Sequence, residues 1–284
     1  MPFFAQAENQ CGPASLAMVL SWLGNGEGHG DLVRQVYSSA RQGSLATDMT
    51  AAVRRHGLVA YPVSTLADVV AEVAGGHPVI VLQDFGTSAW PRGHYAVVVG
   101  YDLAREQIIL RSGPKRRVVS SFARFERTWA PSGHWGLLVL PPRRLPATTT
   151  EQTWLQAVVG LERAQQWRAA LEAYEAAYER WPRSLGGLIG LGNSRYAVND
   201  LAGAEHAFQL ATQAHPKAAA AFHNLAHVLL ESGRHEDART AARRAAELAD
   251  ASESADASCD ACVTPPRLCR TQCEIPNGLE GRQR

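Results

Sequence analysis

The 284-residue chain predicts an α+β domain, N-terminal helices followed by an antiparallel sheet, and then an all-α solenoid. Three observations predict this. Apolar residues recur at helical spacing through residue 76 and then give way to short β-branched runs joined by tight turns. A Pro- and Thr-rich stretch at 141–150 breaks all periodicity. Beyond it, a pattern of small and aromatic residues repeats every 34 positions.

The first helix begins at Cys11-Gly12-Pro13-Ala14. Leu16, Ala17, Val19, Leu20 and Leu23 follow on one face and Gly24 stops it. Pro13 suits the first turn, where its missing N–H costs nothing. A thiol at that end lies in the positive field of the helix, which favours an anion, the reactive form of cysteine. Residues 31–40 read as a second helix, 47–56 as a third, and 66–74, capped by Thr65, as a fourth. Strands are expected at 78–82, 94–101, 107–110, 117–119 and 135–140. Helices first and strands second is an α+β layout.

The 34-residue period aligns Ala170, Ala204 and Ala238. It also aligns Trp154, Leu188 and Phe222, as well as Tyr174 with Phe208 and Pro182 with Pro216. Each unit divides into two helices, with breaks near Gln165-Gln166, Asn199-Asp200 and Gly233-Arg234. Residues 151–250 resemble three tetratricopeptide repeats, which implies a protein-docking role. Residues 251–284 are polar and aperiodic and read as a disordered tail. The tail carries Cys259, Cys262, Cys269 and Cys273, four thiols whose spacing departs from ordinary zinc sites after the first pair, so neither a metal nor a cofactor is expected.

A net charge of +1 gives no electrostatic footprint for nucleic acid, and no apolar run is long enough to span a bilayer. The cysteine motif follows Met1 so closely that an internal start, with a leader or strand upstream, is expected. Localisation stays open: cytoplasmic as written, periplasmic or membrane-anchored if a leader precedes.

A cysteine nucleophile needs a base, a group to orient that base, and oxyanion donors. His94, in Arg92-Gly93-His94-Tyr95, opens a strand after a glycine-containing loop and is the preferred base; His134, which also opens a strand, is its rival. His29, His56 and His77 read as surface or packing residues. With Gln6, Cys11-Gly12-Pro13-Ala14 and Gly93-His94-Tyr95 together, residues 3–140 resemble the papain-like cysteine peptidases of family 39, the double-glycine leader peptidases. The resemblance implies Cys11 as nucleophile, His94 as base, Gln6 in the oxyanion hole, and peptide cleavage through an acyl-enzyme. The Asp-Pro pair that orients the family's histidine has no counterpart here, and Gln6 lies one residue nearer the cysteine than the family's glutamine. A hairpin centred on Leu103 places Gly100 opposite Glu106 and His94 opposite Ser112. Asp102 then lies about 25 Å from His94 along the strand, too far to orient it. Ser112 and Asp84 remain as candidate orienters. The alternatives to a peptidase are a peptide-binding scaffold acting through the repeats and an acyl or amide transferase using the same dyad.

Overall fold

The computed structural model describes residues 1–6, 9–26, 28–87 and 89–253. The chain forms two compact units, the first running from Met1 to Ala176 and the second beginning at Ala177.

In the first unit, α1 (Cys11–Trp22) is buried on every side from Gly12 to Leu20, as a central helix must be when small and apolar residues cover its whole surface. Helices α2 (His29–Val36) and α3 (Ala46–Arg55) flank it, burying Leu32 and Val36, and Met49 and Val53. Then come β1 (Val59–Val63), α4 (Leu66–Ala74), β2 (Val79–Asp84), β3 (Gly93–Asp102), β4 (Gln107–Ser112), β5 (Lys115–Ser121), α5 (Phe122–Trp129) and β6 (Gly136–Leu140). Thr65 caps α4 as expected, accepting from the Asp68 N–H. The six strands pair antiparallel in the order β1-β6-β2-β3-β4-β5. Ile80, Tyr95, Val97, Leu137 and Val139, on one face, join Leu16, Met18 and Leu20 of α1 in a single core.

Two elements differ from the sequence reading. Strand β1 contains Pro62, which argues against a strand, yet β1 lies at the sheet edge, where a missing N–H leaves no ladder bond unmade. Helix α5 is capped by Ser121 and buries Phe125 and Trp129 one turn apart.

The β3–β4 register is also different. The hairpin closes with Asp102 opposite Gln107, Gly100 faces Ile109 rather than Glu106, and a bulge at Val99 shifts the ladder so that Val98 faces Leu110. The ladder stops at Val97 and Arg111, so His94 and Ser112 are not cross-strand partners.

The segment expected as a linker is fastened down. Glu72 of α4 is fully buried and accepts from the Thr148 N–H and hydroxyl, each at 3.0 Å; its other oxygen lies 2.9 Å from His77 Nδ1. Thr150 then caps α6 (Glu151–Arg163) in a capping box with Thr153, whose hydroxyl also accepts from Tyr61. The first compact unit therefore extends into α7 (Trp167–Arg180), past the expected boundary at 141–150.

The second unit contains α8 (Leu185–Ala197), α9 (Leu201–Ala214), α10 (Ala219–Glu231) and α11 (His235–Glu253). Phe208 of α9 is buried where Gly192 of α8 leaves room: a β-carbon at Gly192 would fall on its ring. Asn193 and Asn224 share a buried hydrogen bond at 3.3 Å. The corners between paired helices hold the repeat: Gln165, Asn199 and Gly233, 34 residues apart, all adopt positive φ, at 57°, 68° and 75°. The four tail cysteines lie outside the described residues.

Candidate active site

Cys11 is the first residue of α1 and is half-buried. Gln10, before it, makes no side-chain cap, and the first turn holds no carboxylate. Pro13 has no N–H and the Ala14 N–H donates to the Gln10 carbonyl, so among the described residues the Cys11 and Gly12 amides are the first-turn donors without an acceptor. Gly12 fits against the residue before the α3 entry: a β-carbon there would lie 2.5 Å from Ser44 Oγ and 2.6 Å from Ser44 Cβ. The Ser44 carbonyl in turn accepts from the Tyr95 hydroxyl at 3.2 Å. Burial, then the nearby Cys11 and Asp48, push the Tyr95 phenol well above its ordinary pKa.

Gln6 joins three parts of this region. Its side-chain nitrogen donates to Ser15 Oγ, one turn beyond Cys11, at 3.3 Å and to the carbonyl of Tyr95, next to His94, at 3.2 Å. Its side-chain oxygen accepts from the Gly113 N–H, beside Ser112, at 2.7 Å, and its own N–H donates to the Gly113 carbonyl. Both hydrogens of the amide thus have acceptors within the fold. In this arrangement Gln6 clamps α1, β3 and the β4–β5 turn together, and donation to an oxyanion requires it to release one of these bonds.

His94 is half-buried at the open end of β3. Its Nε2 lies 2.8 Å from Ser112 Oγ, and its ring centroid is 5.8 Å from that of Phe85. Ser112 lies beyond the end of the β3–β4 ladder and pairs with Lys115 of β5 after a shift between Leu110 and Ser112, and from there its side chain reaches the ring. With Nε2–H donating to Ser112, Nδ1 is the bare acceptor. Burial, then the positive charge of Arg92, hold the imidazole below its ordinary pKa and favour the neutral ring. Among the described residues no hydrogen bond joins Cys11 to His94.

Asp84 does not orient His94. Its Oδ1 accepts from the N–H groups of Gly86 at 2.8 Å and Arg92 at 2.7 Å, closing the loop that leads into β3. The residue directly opposite His94 on β2 is Gln83, which donates to Thr128. Asp102 accepts from Arg105 at the far hairpin. The rival His134 pairs with Glu126 at 3.0 Å and sits edge-on to Trp129, and His77 is held by Glu72. Ser44 and Gly113 escaped the sequence reading because a serine in a polar loop and a glycine in a turn carry no signal of their own. Among the described residues no cluster of three or more His, Cys, Asp or Glu is arranged to hold a metal.

Helix-borne cysteine, strand-borne histidine and antiparallel sheet define a papain-like domain of the peptidase type. Residues 1–136 match the family model described as Peptidase_C39 like family. No curated protein matches the chain. Among solved structures, the peptidase domain of Streptococcus ComA, described as a bifunctional ABC transporter involved in quorum sensing, is 22% identical. That match covers 48% of this chain and 96% of that one, with a TM-score of 0.40. A C39-like peptidase from Bacillus anthracis is 16% identical over 49% and 94% of the two chains, with a TM-score of 0.39. A MamA RS-1 ArsTM double mutant is 19% identical, with a TM-score of 0.35. The match covers 37% of this chain and 58% of the MamA chain, less than two thirds of its length.

Proposed function

We propose that the N-terminal domain is a cysteine peptidase in which Cys11 is the nucleophile and His94 the general base. The observation that carries this reading is the Gln6 clamp: one side chain ties the turn after Cys11 to the residue after His94 and to the residue after Ser112. His94 Nδ1 takes the Cys11 proton as Sγ attacks the substrate carbonyl, a transfer that requires the two groups to come within hydrogen-bond reach when substrate binds. The Cys11 and Gly12 amides of α1 receive the negative charge that develops on the carbonyl oxygen, joined by Gln6 if it releases Tyr95 or Ser15. The imidazolium then protonates the leaving amine, and an acyl-enzyme remains on Sγ. Water, deprotonated by the same ring, attacks that thioester and frees the acid.

Ser112 holds the ring through a neutral hydrogen bond, and among the described residues no carboxylate is hydrogen-bonded to His94 to offset the charge it acquires. This favours a slow enzyme, and it is the observation behind a second reading, a domain that binds peptides without turning them over. In either reading the repeat helices dock the substrate or a partner protein, a role supported by their 34-residue register. Digestion of a peptide library by the full chain and by Cys11→Ala separates the two. Cleavage that disappears with the thiol supports the peptidase. Peptide binding by both chains without cleavage establishes the binding module. Products that incorporate an added amine assign the acyl group to transfer rather than hydrolysis.

A further inference from the structure

A cavity of about 300 Å³ in the first unit is lined by Ala51, Arg54 and Arg55 of α3, Gly160 and Arg163 of α6, and Ala164. Three arginines line one hollow, and among the described residues no carboxylate does. Among the described residues Arg54, Arg55 and Arg163 make no ion pair; Arg55 reaches the Gln35 side-chain oxygen at 3.5 Å. The nearest carboxylate in sequence, Glu162, is buried and accepts from the Tyr174 hydroxyl. The Nε of Arg54 is buried without a hydrogen-bond partner.

The seat for Arg54 is specific. A β-carbon at Gly160 would fall on its Nε, Cζ and Nη2 atoms, so the guanidinium lies flat across the glycine. A glycine inside a helix costs about 1 kcal/mol relative to alanine. The equivalent positions in the other repeats are Ser194 and Val228, so the glycine occurs only where Arg54 lies against it. All three arginines fall in last helical turns, where a cation is favoured, but that field explains neither the glycine seat nor the convergence on one cavity. Burial, then the charge of Arg163, hold the Arg54 pKa below its ordinary value, a cost that a bound anion would relieve.

We propose that this cavity is a binding site for a phosphate-type oxyanion, either free phosphate or the phosphate of a small phosphomonoester, held by Arg54, Arg55 and Arg163. Guanidinium forks match the oxygens of such a group, and the volume admits a phosphate with room for a small esterified group beside it. The site is independent of Cys11, so its test does not depend on peptidase activity.

Titration calorimetry of the full chain with inorganic phosphate, at fixed ionic strength, should show one saturable site. Arg163→Gln changes an exposed side chain and should weaken binding about tenfold or more, as loss of a charge-assisted bond requires. Gly160→Ala, which displaces the Arg54 fork, should do the same. A parallel titration with adenosine monophosphate distinguishes the sources: tighter binding than phosphate assigns a phosphomonoester, and binding of phosphate alone assigns the free anion. Absence of saturable heat with both ligands up to about 10 mM, or unchanged affinity in Arg163→Gln, overturns the assignment.

Discussion

Replacing Ser112 with aspartate restores a charge where the structure has a neutral hydroxyl. Ser112 Oγ lies 2.8 Å from His94 Nε2, so a carboxylate there meets the ring directly. Two unit charges about 4 Å apart interact by about 4 kcal/mol at the effective dielectric of a protein surface. His94 is only half-buried, and both solvent screening and desolvation of the new carboxylate reduce that figure. We take about 1–2 kcal/mol as the net preference for imidazolium, which raises the His94 pKa by about one unit. If the same interaction is made in the transition state, kcat/KM rises about tenfold. The assay has two parts. Proton NMR of the His94 ring follows its titration in wild type and in Ser112→Asp, and the pH dependence of kcat/KM follows its effect on turnover. In wild type the acid limb should lie below the usual imidazole value, because burial and Arg92 depress the pKa and the base is the neutral ring. The aspartate should move that limb toward higher pH. An unmoved His94 titration would refute the placement of Ser112 as the ring's partner. A moved titration with an unmoved pH–rate limb would remove His94 from the reaction.

Other perturbations follow from the same contacts. Gln6→Ala severs the link between α1, β3 and the Gly113 turn. It leaves the Gly113 N–H without its acceptor and should lower stability by about 1–3 kcal/mol in urea unfolding, with a larger proportional loss of any peptidase activity. Gly12→Ala drives a methyl into Ser44 and should cost about 1–3 kcal/mol, and the double variant Gly12→Ala/Ser44→Gly should recover most of it in thermal melts. Glu72→Ala strips a buried partner from His77 and from Thr148 and should cost about 3–5 kcal/mol, with amide exchange at Thr148 accelerated to match. Folding stability should decline as pH falls through the titration of His94. The unfolded ring binds its proton near pH ~6.5 and the folded ring only below that, so this contribution is present above the unfolded value and lost beneath it.

Where one periodicity or one cap decides an element, the sequence was sufficient. The buried run of α1, the Thr65 cap of α4 and the 34-residue phase of the repeats all depend on contacts within a few turns. Elements that depend on distant neighbours were less legible. Pro62 is tolerated because β1 has nothing on its outer side, a property of the whole sheet. The β3–β4 register turned on a bulge at Val99 that no residue type announces. Ser112 was assigned to His94 from a register that the structure does not have. The contact itself is present because a second irregularity, after Leu110, delivers the side chain by another route. Asp84 looked suitable as an isolated carboxylate near the right strand end, but the loop's own backbone amides occupy it.

The fastening of Thr148 by Glu72 has a practical bearing on how this protein can be cut. The family match ends at residue 136, which invites excision of the N-terminal domain there. Such a fragment would retain a sealed carboxylate stripped of two of its donors and a Tyr61 hydroxyl without Thr153, and it would aggregate or melt early. Limited proteolysis should accordingly spare the peptide bonds between Leu140 and Glu151, and the shortest soluble excised piece should end beyond Arg163.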